Sequence, residues 1–235
     1  PAPYSNPAAY YFPTFKRMSS LEVLKGAPLL RYGPQTTGGV INLISTPIPD
    51  EQKGYVEAVT NERGSTDVHA TYGDTNGDWG YLFETVQRSA QGFKDIDRSN
   101  RNSGFDISDY VGKLRWQGEG QSVTAKLQYS EETSNSTYVG LTDADFNQDP
   151  NRRYGLSSPD QMDNTHSGVS LTHQFEWSDN VSSTTTLYRN DFKRNWYKLS
   201  GAGNIIDQAN AGDANAQGIL DGTIDASGLE YKNNA

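Results

Sequence analysis

The residues in this chain that could do covalent or metal chemistry are few. Cysteine is absent, which removes thiolate nucleophiles, thiolate metal sites and disulfides together. The three histidines, His69, His166 and His173, show no metal-ligand spacing, and His69 and His173 lie inside segments that alternate apolar and polar residues. Asp143, Asp145, Asn147 and Asp149 imitate the odd positions of a calcium loop. However, Gln148 stands where such a loop needs glycine, and Tyr154 stands where it needs a bidentate glutamate. Gly118-Glu119-Gly120 has no strand-to-helix context for a phosphate and reads as a hairpin turn. There is no G-x-S-x-G elbow and no assignable carboxylate pair. The chain is not expected to be an enzyme, and neither a metal nor a resident cofactor is expected.

The 235 residues carry 20 Lys+Arg against 29 Asp+Glu, a net charge of −9 that lacks the basic face of a nucleic-acid binder. Mean hydropathy is −0.77, and no stretch approaches the roughly 18–20 apolar residues of a membrane-spanning helix. Only 34% of residues are hydrophobic, yet 14 Tyr, 8 Phe and 4 Trp argue against disorder. The first residues, Pro1-Ala2-Pro3-Tyr4, and the last, Lys232-Asn233-Asn234-Ala235, do not read as natural domain ends, so a fragment is expected.

The chain changes character near Pro47-Ile48-Pro49. Ahead of it, Leu21-Glu22-Val23-Leu24 and Val40-Ile41-Asn42-Leu43-Ile44 are short apolar runs separated by Gly- and Pro-containing turns. They suggest a small mixed unit ending in a strand buried on both faces. Beyond it, residues alternate with period two, the signature of strands with one apolar and one polar wall. Tyr110, Gly112, Leu114 and Trp116 alternate with Val111, Lys113, Arg115 and Gln117; Val169, Leu171, His173, Phe175 and Trp177 alternate with Ser170, Thr172, Gln174 and Glu176. About seven strands are predicted, roughly at 54–62, 66–73, 79–88, 109–117, 121–132, 167–177 and 180–198.

Tight turns at 74–78, 118–120 and 178–180 alternate with long connections at 89–108, 133–166 and from 199 onward, with one short exception near Arg63-Gly64. Trp79, Trp116 and Trp177 each sit beside a tight turn on the apolar wall, as in an interfacial aromatic belt. A meander with short turns on one rim and long loops on the other is the pattern of an outer-membrane barrel. The fold class expected is all-β, a partial transmembrane antiparallel β-barrel meander with a small mixed unit before it.

The stretch from Leu21 to Ile44, with Glu22-Val23, Gly26, Tyr32-Gly33, Gly38-Gly39 and Ile41-Asn42, resembles the end of the plug domain of TonB-dependent outer-membrane receptors. Arg31-Tyr32-Gly33-Pro34-Gln35, Thr46-Pro47-Ile48-Pro49 and Ser136 to Asp143 look most like the branch that takes ferric citrate and related siderophores. The resemblance implies residues 1–49 as the C-terminal part of a plug and 50–235 as the first part of a truncated barrel. It also implies a location in the Gram-negative outer membrane, lipid around the barrel, and import of a ferric chelate as cargo, with ferric citrate the first choice. The energising partner would be the TonB complex, reached through a segment this chain lacks. A receptor for cobalamin or an oligosaccharide, or a secreted β-rich adhesin, are the alternatives.

For an anionic chelate such a receptor needs cations and hydrogen-bond donors at its mouth. The resemblance points to Tyr4, Asn6 and Tyr10 in an apical plug loop, and to Arg152, Arg153 and Tyr154 in the long 133–166 connection. Lys25 and Arg31 of the plug and Glu57 and Glu84 on polar strand faces are the candidates for an ion-paired latch between plug and barrel.

Overall fold

A computed structural model describes residues 12–26 and 39–233. A short 3-10 turn, Phe15–Arg17, leads into β1 (Met18–Leu24), which pairs antiparallel with β2 (Val40–Ser45), Leu21 opposite Leu43 and Val23 opposite Ile41. The chain then builds a meander: β3 (Lys53–Thr60), β4 (Thr66–Asn76), β5 (Trp79–Ala90), β6 (Asp95–Ile96), β7 (Phe105–Gly118), β8 (Gln121–Ser134), β9 (Arg152–Arg153), β10 (Gln161–Ser178), β11 (Val181–Ser200) and β12 (Glu230–Asn233). Three helices lie in the long connections, α1 (Asp143–Gln148), α2 (Ala202–Asn210) and α3 (Ala214–Asp221).

Eight strands form one sheet in the order β12-β11-β10-β8-β7-β5-β4-β3, with every neighbouring pair antiparallel. The sheet is open, and β3 and β12 are its edges. β6 and β9 make a separate parallel pair that joins two long loops. All seven long strands expected from the alternation are present, and β12 is an eighth.

The strands run further than the alternation reached, chiefly at the long-loop rim. β10 begins at Gln161 rather than near 167, and β7 at Phe105 rather than 109. In the added part of β10, Gln161, Asp163, Asn164 and Thr165 are polar on both faces, so pairing continues where amphipathicity stops. The helices likewise lack a long apolar stripe. Their signals are local: the Thr142 side chain caps α1 by accepting from the Asp145 N–H, and Asp213 caps α3 by accepting from Asn215 and Ala216.

Register fixes the two walls. Tyr81, Leu114, Ala125, Leu171 and Leu187 lie in one cross-strand row, and Phe83, Gly112, Leu127 and Val169 lie in the next. The hairpin of β1 and β2 packs on the opposite wall, where Leu82, Val86 and Val111 are buried with His69, Glu84 and Asp109. Trp79 pairs with Trp116 beside the tight turns, and Trp177 is 68% exposed on the same apolar wall. That wall is exposed along its length, as a lipid-facing surface requires.

The hairpin differs from the expected doubly buried strand. Val23 and Ile41 are cross-strand partners yet 58% and 62% exposed. A two-stranded ribbon is covered on both faces only between two layers, and the described residues supply one, the sheet.

Backbone crowding sets the width of the 91–104 loop. A Cβ on Gly104 would run into the Ala90 carbonyl oxygen, inside the loop's closing strand pair. Gly104→Ala is therefore expected to cost about 3 kcal/mol, the upper end of overpacking, and to lower the midpoint of unfolding in detergent. An unchanged midpoint would show that the loop can open without loss.

Candidate functional site

Two polar assemblies stand out, one where the hairpin meets the sheet and one where the long loops meet each other. The first begins at the 3-10 turn, which directs Arg17 onto the polar wall. Arg17 Nε donates to Asp109 Oδ2 at 2.6 Å, and both residues are 1% exposed. At the other strand of the hairpin, the Thr46 hydroxyl donates to Glu84 Oε1 at 2.7 Å. That oxygen also accepts from His69 Nε2 at 2.8 Å, and His69 Nδ1 in turn lies 2.8 Å from the Tyr55 hydroxyl. Glu84 Oε1 thus accepts from both Thr46 and His69 Nε2, while the Tyr55 hydroxyl pairs with His69 Nδ1. Lys113 and Lys126, paired across β7 and β8, both donate to Ser45 Oγ, at 2.8 and 3.4 Å. Lys16 lies 3.6 Å from Glu57 and 3.9 Å from Asp67.

Glu57 and Glu84 thus face the hairpin, but they meet Lys16 and Thr46. Lys25 is exposed and joins none of the ion pairs among the described residues. Arg31 lies outside the described residues. The reason is positional: Met18 pairs with Ser45 at the sheet-contacting end of the hairpin, whereas Leu24 pairs with Val40 at the far end, next to Lys25. None of Lys16, Arg17, Thr46, Asp109, Lys113 and Lys126 is among the candidate site residues read from the sequence. The polar walls of β7 and β8 gave a signal in Asp109, Lys113 and Lys126, but only register shows what they meet.

The second assembly centres on Arg152. Its Nε donates to Asp97 at 3.1 Å, its Nη1 to Asp145 at 2.6 Å and its Nη2 to Asp221 at 2.7 Å. These aspartates come from three different long connections, so one guanidinium ties all three loops. The Arg152 guanidinium also lies over the Tyr154 ring, 5.2 Å from its centroid. Hydrogen bonds to Asp97 and Asp221 hold the guanidinium's pKa above its ordinary value against the opposing effect of burial. Tyr154 is fully buried, its hydroxyl donating to Asp145 at 2.7 Å and accepting from the Thr142 N–H at 3.0 Å. It joins Val139, Leu199, Ala202 and Leu220 in the apolar core of the loop cluster. Arg153 donates to the Pro150 carbonyl at 2.9 Å and also to the Arg152 carbonyl. Tyr4, Asn6 and Tyr10 lie outside the described residues.

No family model matches the chain. The chain is 24% identical over 195 residues to the probable TonB-dependent siderophore receptor PirA of Acinetobacter baumannii, a match that covers 73% of this chain and 24% of PirA. Among solved structures, the unliganded crystal structure of the ferric citrate transporter FecA superposes with a TM-score of 0.64 at 21% identity, covering 79% of this chain and 28% of that one. The siderophore receptor PiuA of Acinetobacter baumannii gives 0.62 at 14% identity, covering 77% and 27%. The ferric-catecholate import receptor Fiu of E. coli K12 gives 0.60 at 12%, covering 76% and 29%. The fold is that of part of a TonB-dependent receptor. The chain spans about a quarter of the length of PirA.

The β1–β2 hairpin packs on the polar wall of the sheet, and the Arg152 cluster lies among the long loops at one rim. Burial opposes ionisation of Asp145, but hydrogen bonds from Tyr154, Gln217 and Thr142, together with Arg152, outweigh it and hold the carboxyl below its ordinary value. The sign follows: a depressed folded pKa contributes stability above the unfolded value, near 3.9, that is lost as pH falls through the lower folded value. The contacts of Asp145 are therefore expected to hold from neutral pH down to about pH 4 and to loosen only in stronger acid. Near-UV circular dichroism of the tyrosine-rich cluster against pH checks this, and a transition centred between pH 5 and 7 would contradict it.

Proposed function

We propose that this chain is the part of a TonB-dependent outer-membrane receptor that runs from the end of the plug domain (residues 1–49) into the first barrel strands (50–235). We further propose that the whole receptor imports a ferric chelate across the Gram-negative outer membrane with energy from the TonB complex. The observation that carries this reading is the plug-like hairpin seated on the polar wall of a membrane-type meander through the buried Arg17–Asp109 pair. The likeness to PirA, FecA, Fiu and PiuA supports it.

On this reading the polar contacts of the hairpin hold the plug without a continuous apolar seal. Ion pairs and hydrogen bonds of this kind contribute little net stability compared with an apolar interface, yet breaking one side alone is costly. A seal of that type stays shut at rest and opens when a directed force displaces it. Arg152 positions the loops, and Arg153, Tyr4, Asn6 and Tyr10 are the chelate-facing candidates.

Iron uptake tests the proposal. In a Gram-negative strain lacking its other iron receptors, the full-length receptor is expected to restore uptake of radioactive iron from ferric chelates only when TonB is functional. Restored uptake in the absence of TonB, or none from any ferric chelate, would contradict it. In the second case cobalamin and oligosaccharides become the cargo to examine.

A further inference from the structure

Register divides the polar wall into two halves along the strands. The rows nearer the long loops mix both signs: Arg88, Glu132 and Arg194 share one row, Asp109 stands in the next, and Glu84 in the one after. The following row toward the tight turns pairs Lys113 with Lys126 and Lys126 with Ser170. Beyond it Arg115 pairs with Thr124 and Thr124 with Thr172, and then Gln117 pairs with Ser122 and Ser122 with Gln174. On β7, β8 and β10 these three rows hold cations, hydroxyls and amides, and no carboxylate. Among the described residues, none of Lys113, Lys126 and Arg115 makes an ion pair with a carboxylate.

The seated hairpin covers the two ammoniums with its own oxygens. Lys113 Nζ donates to Ser45 Oγ at 2.8 Å and to the Ser45 and Thr46 carbonyls, and Lys126 Nζ donates to the same Ser45 Oγ at 3.4 Å. All three acceptors are neutral, and a charged oxygen makes the stronger bond with an ammonium. The hairpin therefore holds places that anionic oxygens fill better once it has moved. Arg115, one row further on, is bonded to β4 rather than to the hairpin. Its Nη2 donates to Thr75 Oγ1 at 3.4 Å, while its buried Nε has no hydrogen-bond partner among the described residues.

Resting on the receptor reading above, which makes this wall the lining of the lumen, we infer that Lys113, Lys126 and Arg115, with the hydroxyls of Thr124, Ser170 and Thr172, form an anion site that is uncovered when the hairpin is displaced and receives the cargo, an anionic ferric chelate, on its way through. The chelate's oxygens replace Ser45 and Thr46 on the two ammoniums. They then pass to the Arg115 guanidinium, two residues or about 7 Å nearer the tight turns. The neighbouring hydroxyls donate to the same oxygens. Sites in succession suit passage, because each must bind well enough to be entered and loosely enough to be left. A neutral chelate gains no charge attraction from them.

Uptake of radioactive iron by cells carrying the full-length receptor and functional TonB, read beside equilibrium binding to the receptor in detergent, tests this. Ferric dicitrate and ferric tris(2,3-dihydroxybenzoate) are anionic probes, and ferric tris(acetohydroxamate) is neutral. An anionic probe is expected to be imported. For it, Lys113→Gln with Lys126→Gln should lower the maximal uptake rate about tenfold and Arg115→Gln about threefold, with binding held within about twofold. Lys113→Arg with Lys126→Arg keeps both charges and should retain about half the rate or more. Arg115 has no bond to the hairpin, so its variant separates passage from seating. An unchanged rate in the double glutamine variant would overturn the site. So would a loss that Arg115→Gln does not share, which would make the lysines seating contacts alone, or a loss of binding as large as the loss of rate. Import of the neutral probe alone would overturn the site and leave the receptor standing. Uptake of none of the three would overturn the import reading itself.

Discussion

Replacing Arg17 with alanine is expected to weaken the seating of the hairpin on the barrel wall by about 3–5 kcal/mol. The loss arises because Asp109, 1% exposed, is left without the guanidinium that pairs with it at 2.6 Å. Its other oxygen, Oδ1, is buried and without a hydrogen-bond partner among the described residues, so no second donor compensates. Hydrogen exchange of Met18–Leu24 and Val40–Ser45 in the full-length receptor reads the effect locally, and guanidinium unfolding reads it globally. The paired change Arg17→Met with Asp109→Leu removes both charges and is expected to recover most of the loss. A cost below about 1 kcal/mol for Arg17→Ala, the level of an exposed pair, would mean that water reaches the contact and that the hairpin is held elsewhere.

The second large effect belongs to Arg152. Arg152→Ala leaves Asp97, Asp145 and Asp221 facing one another with no cation between them. The Arg152 side chain is 25% exposed, so the expected cost of about 2 kcal/mol lies between the values for exposed and buried pairs. It should appear as faster proteolysis in the 91–104, 135–160 and 201–229 segments together, since one guanidinium joins all three. Arg152→Lys keeps the charge but loses the fork and is expected to recover less than half of the effect. Cleavage confined to one loop would show that the apolar cluster around Tyr154 and Leu220, rather than the arginine, holds the loops together.

The long strands of the sheet were legible in the sequence because a strand with one apolar and one polar wall alternates strictly. Tyr110 to Gln117 and Val169 to Trp177 state that alternation plainly. Legibility failed where the alternation lapses. The first residues of β10 pair like the rest of the strand but are polar on both faces. α2 and α3 are short, without a long stripe to announce them, and of the two only α3 has a side-chain cap, Asp213. At the hairpin, the motif from Leu21 to Ile44 indicated a plug-like unit but not which end touches the barrel. Lys16 and Arg17 flank it on one side and Lys25 on the other, and only the register of Met18 with Ser45 places the first two at the wall. At the mouth, Arg152 and Arg153 stood out as adjacent cations suited to an anionic ligand. The partners that occupy Arg152 lie at positions 97, 145 and 221, too far apart in sequence to be associated by spacing.

These 235 residues contain no cysteine, so in a receptor freed of any cysteine elsewhere the central claim, that one wall faces lipid and the other carries the plug, is open to a direct test. Single cysteines placed in the full-length receptor at Phe83, Leu114, Leu127 and Val169, and at Glu84, Lys113, Lys126 and Asp109, can be spin-labelled in outer-membrane vesicles. Power saturation then compares collisions with oxygen, which concentrates in lipid, against collisions with a water-soluble nickel chelate. The first four positions are expected to favour oxygen and the last four to be shielded from it, so that accessibility alternates with period two along each strand. Labels on the first wall that collide mainly with the nickel chelate, or that are shielded from both quenchers, would place that wall in water or in a soluble core and contradict the receptor fold.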